Sequence, residues 1–512
     1  MKSTKILTSL FVLMMLVALL TSTSPVQAGM SQIPLTASGD LVWAKGFGGT
    51  GNDGGFGIIT DTSGNSYVVG EFQNTVDFDP GAGTTNLTSA GSTDGFITKF
   101  DSSGAFVWVK QFGSTLADRA VEVKLDSNND LYITGYFRGT VDFDPGAGTT
   151  NRTSNGENDI FLLKLNSSGG FVWAKSFGST QYDEGVDLVL DSSNNIHLLS
   201  DFTGTVDFDP GASTNNLTSN SANFFDIAVT KLDGNGDFIW AKGFGSTSEE
   251  YAGGIEVGES GNVFVTGNFD GTVDFNPDAG VFNLTSSFYD IFVSTLDSNG
   301  QFLWAARVGG SGIEEGNDIA LDSADNIYVV GNYQNTVDFN PKGDNFYLSS
   351  NGQWDSYVLK LDQLGNFMWA RTLGSAGDDF ALNIILDSNN NLYIAGDFTN
   401  TVDFNPGTGT YNLTSAGGYD AYTVKLKSNG NFVWARSVGG STNDLASGIA
   451  LDSSNNNVHI TGWFSGTADF DPGAGTNNIT SIGGNDIFIL KLQGTAPVSP
   501  AQTPGSLDLT FD

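Results

Sequence analysis

Phe171-Val172-Trp173-Ala174-Lys175 is the stretch whose reading decides the fold. Its tryptophan belongs to a series: Trp43, Trp108, Trp173, Trp240, Trp304, Trp369 and Trp434, spaced by 65, 65, 67, 64, 65 and 65 residues. Self-similarity at a fixed period is the mark of a repeat architecture.

Four strand signals recur in fixed order around each tryptophan. In the second unit, Ala120–Leu125 ends in the turn Asp126-Ser127-Asn128-Asn129, and Leu131–Phe137 follows. A long polar loop carries Val141-Asp142-Phe143-Asp144-Pro145-Gly146. Ile160–Leu165 then turns through Asn166-Ser167-Ser168-Gly169 into Phe171–Phe177. Short β-rich runs bounded by Asp, Asn, Ser and Gly are hairpins, and four antiparallel strands make one propeller blade. Each strand type occurs seven times. The repeat region nevertheless opens with a fourth strand, Leu41–Phe47, and closes with a third, Ile487–Leu492. The pattern therefore predicts an all-β, seven-bladed β-propeller with 28 blade strands. Its ring is closed by the N-terminal strand pairing into the last blade, which removes an exposed edge. A β-helix, the other solenoid considered, lacks hairpin turns and uses shorter repeats.

The elements Gly178–Asp183 (Gly-Ser-x-x-x-Asp), Leu321–Gly331 (Leu-Asp-Ser-x-x-Asn-x-Tyr-Val-x-Gly) and Asp159–Leu165 resemble the bacterial β-propeller repeats called SBBP repeats. The resemblance covers residues 40–492 and implies the fold, but no single activity.

The remaining segments are expected to lie outside the propeller. Lys2 and Lys5, the apolar run Ile6–Leu20 and Val26-Gln27-Ala28 read as a secretory signal peptide over 1–28. Residues 29–39 are a lead-in, and 493–512 a Pro-rich tail of linker composition. An exported bacterial protein of the cell envelope or extracellular space is expected, monomeric and without a transmembrane segment. Cysteine is absent, so stability rests on packing.

Charge narrows the partners. The chain carries 57 acidic and 21 basic residues, a net charge of −36. Phosphate binding needs clustered Lys and Arg, so nucleic acid is excluded as a partner. A glycan or protein ligand is expected on the face that carries the second-to-third and fourth-to-first loops, both of them acidic.

Three constellations on that face invite chemistry. A carboxylate follows each fourth strand: Asp53, Asp118, Asp183, Glu250, Glu314, Asp379 and Asp444. Its sevenfold recurrence favours a cap on backbone N–H groups over a central cation ring. The loop motif Asp77-Phe78-Asp79-Pro80-Gly81 recurs too. Its copy at Asp274, Asn276 and Asp278 is the nearest match to a calcium loop, with Ca2+ as the candidate cofactor. Phe in this motif reads as a core plug, and Asn-Leu-Thr further on as a short strand pairing back on Val-Asp-Phe. The third constellation varies from blade to blade: Glu71, Tyr136, Asp201, Asn268, Asn332, Asp397 and Trp463. Positions identical in all blades serve the blade, whereas those that differ are candidates for ligand binding. Tyr136 and Trp463 beside carboxylates suit a sugar.

Catalysis has little material. Only His197 and His459 are present, each replacing the Tyr of its repeat, and a Ser-His-Asp site finds no support. A carboxylate-based carbohydrate hydrolase or lyase is the alternative reading, and a structural extracellular or envelope component a third. The repeated Trp resembles the outer-strand Trp that docks blades in quinone-cofactor propellers, a packing role.

Overall fold

The computed structural model describes residues 38–452 and 455–494, so the expected signal peptide and all of the expected C-terminal tail beyond Gly494 lie outside the described residues. The chain forms seven four-stranded antiparallel blades. Blade 1 comprises Gly54–Thr60, Ser66–Phe72, Asp94–Phe100 and Phe106–Phe112, and the same pattern runs through blade 6. Blade 7 takes Asp444–Leu451, Val458–Phe464 and Asp486–Leu492 from the far end of the repeats and Leu41–Phe47 from the beginning. Leu41 faces Leu492, Trp43 faces Lys491 and Phe47 faces Ile487. Blade 1 sets Trp108 opposite Lys99 in the same register. The N-terminal strand therefore fills the fourth-strand position of an ordinary blade, as the strand count required.

Among the described residues there are 42 strands rather than 28. The additional fourteen form seven small hairpins such as Thr75–Asp77 with Asn86–Thr88, the pairing expected for Asn-Leu-Thr. Each hairpin leads its Asp-Phe-Asp/Asn-Pro loop back over the preceding blade. Phe78 lies 5.6 Å from Phe47 of blade 7 and 5.1 Å from Phe96 of blade 1. All seven equivalents, from Phe78 to Phe470, are fully buried. Each plug contributes about 1.5–3 kcal/mol of burial at a blade junction.

Neighbouring blades share their cores. One cluster joins Tyr67, Val69 and Ile97 of blade 1 to Val123, Ile133 and Phe161 of blade 2. Another joins Phe47 and Ile487 of blade 7 to Val68 and Phe72 of blade 1. A single twisted sheet leaves one apolar face uncovered, and stacking in a ring covers it. The tryptophans reinforce this docking. Trp43, Trp240 and Trp304 each donate an indole N–H to a carbonyl in the next blade, at Ser102, Ser298 and Gln363 (3.2–3.3 Å). Trp43 lies over Gly104, whose φ of 80° suits glycine and where a Cβ would come within 2.8 Å of the indole.

Candidate functional site

The seven carboxylates that follow the fourth strands are buried and cap backbone. Asp118 accepts the N–H of Ser114 (2.6 Å) in its own loop and that of Arg138 (2.9 Å) at the end of the second strand. Asp53 does the same with Gly49 and Gln73, and Asp183 with Ser179 and Thr203. The five aspartates thus tie two loops of one face together, and Glu250 and Glu314 cap the backbone of their own loops at Ser246 and Gly310.

Each is also electrostatically paired across a blade junction with the aspartate that opens the preceding blade's third strand. Asp94 acts on Asp118, Asp183 on Asp159, and Asp53 on Asp486 at the ring closure. Burial pushes Asp53, Asp118 and Asp183 up to about 6, against the lowering effect of their backbone bonds. It lifts Asp159, Asp379, Asp420 and Asp486 to about 7 and Glu250 to about 8. The third-strand aspartates lie against the glycines that end the fourth strands. A Cβ on Gly178 would stand 2.2 Å from the Asp159 carboxyl carbon, which is why that position stays glycine in every unit.

The first strands line a central channel with a cavity of about 270 Å³. Every first strand carries a β-bulge, between Ala120 and Glu122 or Gly185 and Asp187, for example. The bulge turns the next residue inward and resets the alternation. Lys124 stands here among Glu122 (3.1 Å), Asp187 (3.7 Å), Glu256 and Asp318. Burial opposes the lysine charge, yet these carboxylates hold its pKa above that of an ordinary lysine. Burial also raises Glu256 to about 7 and Asp318 well above the carboxylate range. Asp187 and Asp318 bind backbone N–H groups of the next blade, at Ile255 (3.0 Å) and Ile384 (2.8 Å). Sequence alternation did not find this set, because the bulge breaks the period of two.

The variable constellation sits at the channel mouth on the loop face. Its members pair across strands with a second variable set: Glu71 with Gly54, Tyr136 with Arg119, Asp201 with Glu184, Asn268 with Tyr251, Asn332 with Glu315, Asp397 with Phe380 and Trp463 with Leu445. Together they form a collar. Asp201, Asn332 and Asp397 are buried and accept the N–H of Ala252 (2.9 Å), Ala381 (2.9 Å) and Ala446 (2.7 Å) in the next blade. Those three are engaged in blade docking. Glu71, Tyr136, Asn268 and Trp463 remain half-buried. Arg119 pairs with both oxygens of Glu71 (2.6 and 3.0 Å), and its guanidinium lies over Phe56 and near Tyr136 (4.5 and 5.5 Å).

The calcium-like loop is internally satisfied. Asp274 accepts the N–H of Asn276 (3.1 Å) and Phe282 (2.7 Å), and Asn276 that of Asp278 (3.0 Å). Asp278 forms an ion pair with Lys242 (2.7 Å) and accepts the Phe302 N–H (3.2 Å). Asp77 and Asp142 brace their own loops in the same way. Among the described residues no cluster of three or more His, Cys, Asp or Glu has a metal-binding arrangement.

The opposite, turn-bearing face holds a set the sequence reading missed. Six blades place an Asp of the first turn, a Tyr or His of the second strand and a Lys of the third together. Lys360 donates to Tyr328 (2.5 Å) and to Asp322 (3.3 Å). Lys99–Tyr67–Asp61 and Lys425–Tyr393–Asp387 repeat the arrangement. His197 with Lys231 and Asp191, and His459 with Lys491 and Asp452, are the histidine versions. Both histidines are fully buried, and burial lowers His197 to about 4. Blade 4 changes all three members at once, to Gly258, Phe264 and Thr295. That joint replacement within the chain was the available signal.

Geometry of this kind defines a seven-bladed β-propeller. Residues 303–332 match the family model described as SBBP, Beta-propeller repeat. The chain is 24% identical over 455 residues to an uncharacterized WD repeat-containing protein, L264, of Acanthamoeba polyphaga mimivirus, covering 74% of this chain and 32% of that protein. It is 24% identical over 171 residues to the regulatory protein FlaEY of Caulobacter vibrioides, covering 33% of this chain and 17% of the relative. The chain thus spans about a third or less of these relatives. Among solved structures, the quinohemoprotein alcohol dehydrogenase ADHIIG of Pseudomonas putida HK5 is similar at TM-score 0.40 and 9% identity, over 91% of this chain and 78% of that one. Sqt1 of Chaetomium thermophilum is similar at TM-score 0.40 and 10% identity, over 90% and 100%.

Proposed function

We propose that this chain is an exported binding scaffold that holds a glycan or protein ligand on its acidic loop face, over the collar at the channel mouth. One observation carries the reading. Across seven near-identical blades, the capping carboxylate, plug Phe, docking Trp and turn geometry stay constant, whereas the paired collar positions differ at every junction. Scaffold positions are held by the needs of each blade; a single asymmetric ligand requires the opposite. The net charge of −36 favours neutral or cationic ligands.

The test is a binding screen against immobilised glycans and envelope or extracellular proteins, run with the intact protein and with Tyr136→Ala and Trp463→Ala. Binding that weakens at least tenfold in the collar variants supports the reading. A ligand whose affinity is unchanged in both variants, and also when the collar residues Tyr251 and Phe380 are replaced by Ala, overturns it.

A further inference from the structure

The collar is not evenly furnished. Between blades 3 and 6, its first-strand positions and the residues just ahead of the third strands run Phe225, Tyr251, Tyr289, Glu315, Trp354, Phe380 and Tyr419. Six rings thus follow the ring of blades in an arc, interrupted by one glutamate. The equivalent positions of the other blades are Asn485, Gly54, Thr93, Arg119, Asn158, Glu184 and Leu445, none of them aromatic.

The arc consists of the same constellation twice. Phe225, Tyr251 and Tyr289 stand 6.0 and 6.1 Å apart in sequence along the arc. Trp354, Phe380 and Tyr419 repeat this two blades on, at 6.1 and 5.8 Å. Each set ends in a phenol that donates to a carboxylate at the same position of the repeat: Tyr289 to Glu249 (2.9 Å) and Tyr419 to Asp378 (3.2 Å). All six rings are half-buried, and Phe224 and Phe288 beside the first set are 41% and 58% exposed. Blade packing does not require these rings, because the other junctions close without them.

We infer that the arc is a two-subsite track for a linear, uncharged polysaccharide. This deepens the proposed function and rests on it. A pyranose ring buries its C–H face on an aromatic side chain and offers hydroxyls at its edge, and each set supplies rings with a carboxylate acceptor alongside. Ring centroids about 6 Å apart leave no gap to enclose an ammonium group, which needs ring faces on several sides of it; the rings form a continuous surface. Glu315, Glu249 and Asp378 repel anionic polymers. Two equal subsites on one rigid ring favour a ligand that repeats, since the second contact then forms at high effective concentration.

The experiment is isothermal titration of the intact protein with soluble uncharged polysaccharides (dextran, a β-glucan, a galactomannan), their trisaccharides, and hyaluronate as the anionic control. One neutral polymer is expected to bind about 100-fold or more tightly than its trisaccharide. Tyr251→Ala and Phe380→Ala each remove that advantage, the double variant abolishes binding, and Leu364→Ala, at an exposed turn of the opposite face, changes nothing. Tyr251→Phe, which keeps the ring, retains binding and separates stacking from misfolding. Binding that survives in a folded double variant, or equal affinity for polymer and trisaccharide, overturns the track. If Tyr136→Ala or Trp463→Ala weakens a ligand that the double variant still binds, the track falls and the collar reading stands. If no neutral polymer binds and neither pair of substitutions affects any ligand, both fall.

Discussion

The Gly39 N–H donates to the Gln493 carbonyl at 2.6 Å, and the Gln493 N–H donates to Asp40 at 2.8 Å. In blade 1 the corresponding bonds, Gly104 to Asp101 and Asp101 to Ala105, lie within one continuous turn and measure 2.8 Å each. The two ends of the repeat region therefore rebuild a third-to-fourth turn that lacks only its two central residues. Arg436 of blade 6 secures the junction, donating to the carbonyls of Ser38 (2.9 Å) and Gly39 (3.2 Å). Arg436→Ala is expected to lower the melting temperature by several degrees, the consequence of losing about 1.5–3 kcal/mol of charge-assisted hydrogen bonding. Thermal unfolding followed by circular dichroism measures it.

The Asp–Tyr–Lys sets should behave as units. Lys360→Thr leaves Asp322 without its cation, and breaking such a buried pair costs about 3–5 kcal/mol. Converting all three members to the blade 4 residues, with Asp322→Gly, Tyr328→Phe and Lys360→Thr, is expected to cost less than the sum of the single changes. Denaturant titration of the four variants checks this; strict additivity would contradict the coupling.

Stability should peak in mildly acidic solution. The junction carboxylates have folded pKa values of about 6 to 8, above their unfolded values, so the folded chain holds protons the unfolded chain has released. Their contribution is full below the unfolded values near 4 and is lost as pH rises through 6 to 8. The turn-face aspartates act oppositely. Although burial opposes its charge, Asp191 is held at about 2 by Asn195, Ser193 and Lys231, and stability from this group is lost as pH falls from about 4 toward 2. Melts across a pH series at constant ionic strength should show a maximum at about pH 4; a maximum at pH 8 would contradict the burial of these carboxylates.

Lys124→Met removes the lysine from among the channel carboxylates. It is expected to destabilise the protein more at pH 8 than at pH 5, because Glu256, raised by burial to about 7, is protonated only at the lower pH, where its repulsion with the neighbouring carboxylates is relieved. An equal loss at both pH values would place the lysine's role in packing.

Gly178→Ala drives a methyl group against the Asp159 carboxylate and should cost about 1–3 kcal/mol as overpacking. The same change at Gly211, where a Cβ meets only Asp209 at 2.9 Å, is expected to be milder. Chemical denaturation compares the two.

Much of this fold was legible because a sevenfold repeat states each rule seven times. Trp43 through Trp434 set the period, and the missing partner of Ile487–Leu492 pointed to Leu41–Phe47. The channel was hidden because the bulges before Glu122 and Asp187 shift side chains by one position, and alternation cannot be carried across them. The collar was only half seen. Glu71 through Trp463 stood out as variable, but their cross-strand partners, Arg119, Tyr251 and Phe380 among them, belong to a strand whose register the bulge conceals. Asp201, Asn332 and Asp397 differ in type from Tyr136 and Trp463 because they clip the next blade, a contact between residues some fifty positions apart. The Asp–Tyr–Lys sets span three strands, and only their joint loss at Gly258, Phe264 and Thr295 betrays them.

The closed ring is tested most directly by relocating its closing strand. Residues 39–47 are removed from the N-terminus and placed after Gln493 through a Ser-Ser link, which recreates the Asp101-Ser102-Ser103-Gly104 turn of blade 1. A melting temperature close to that of the natural chain, and far above that of a variant simply lacking the strand, is the expected result. A relocated chain that melts with the deletion variant, or a deletion that melts with the natural chain, would contradict the closure.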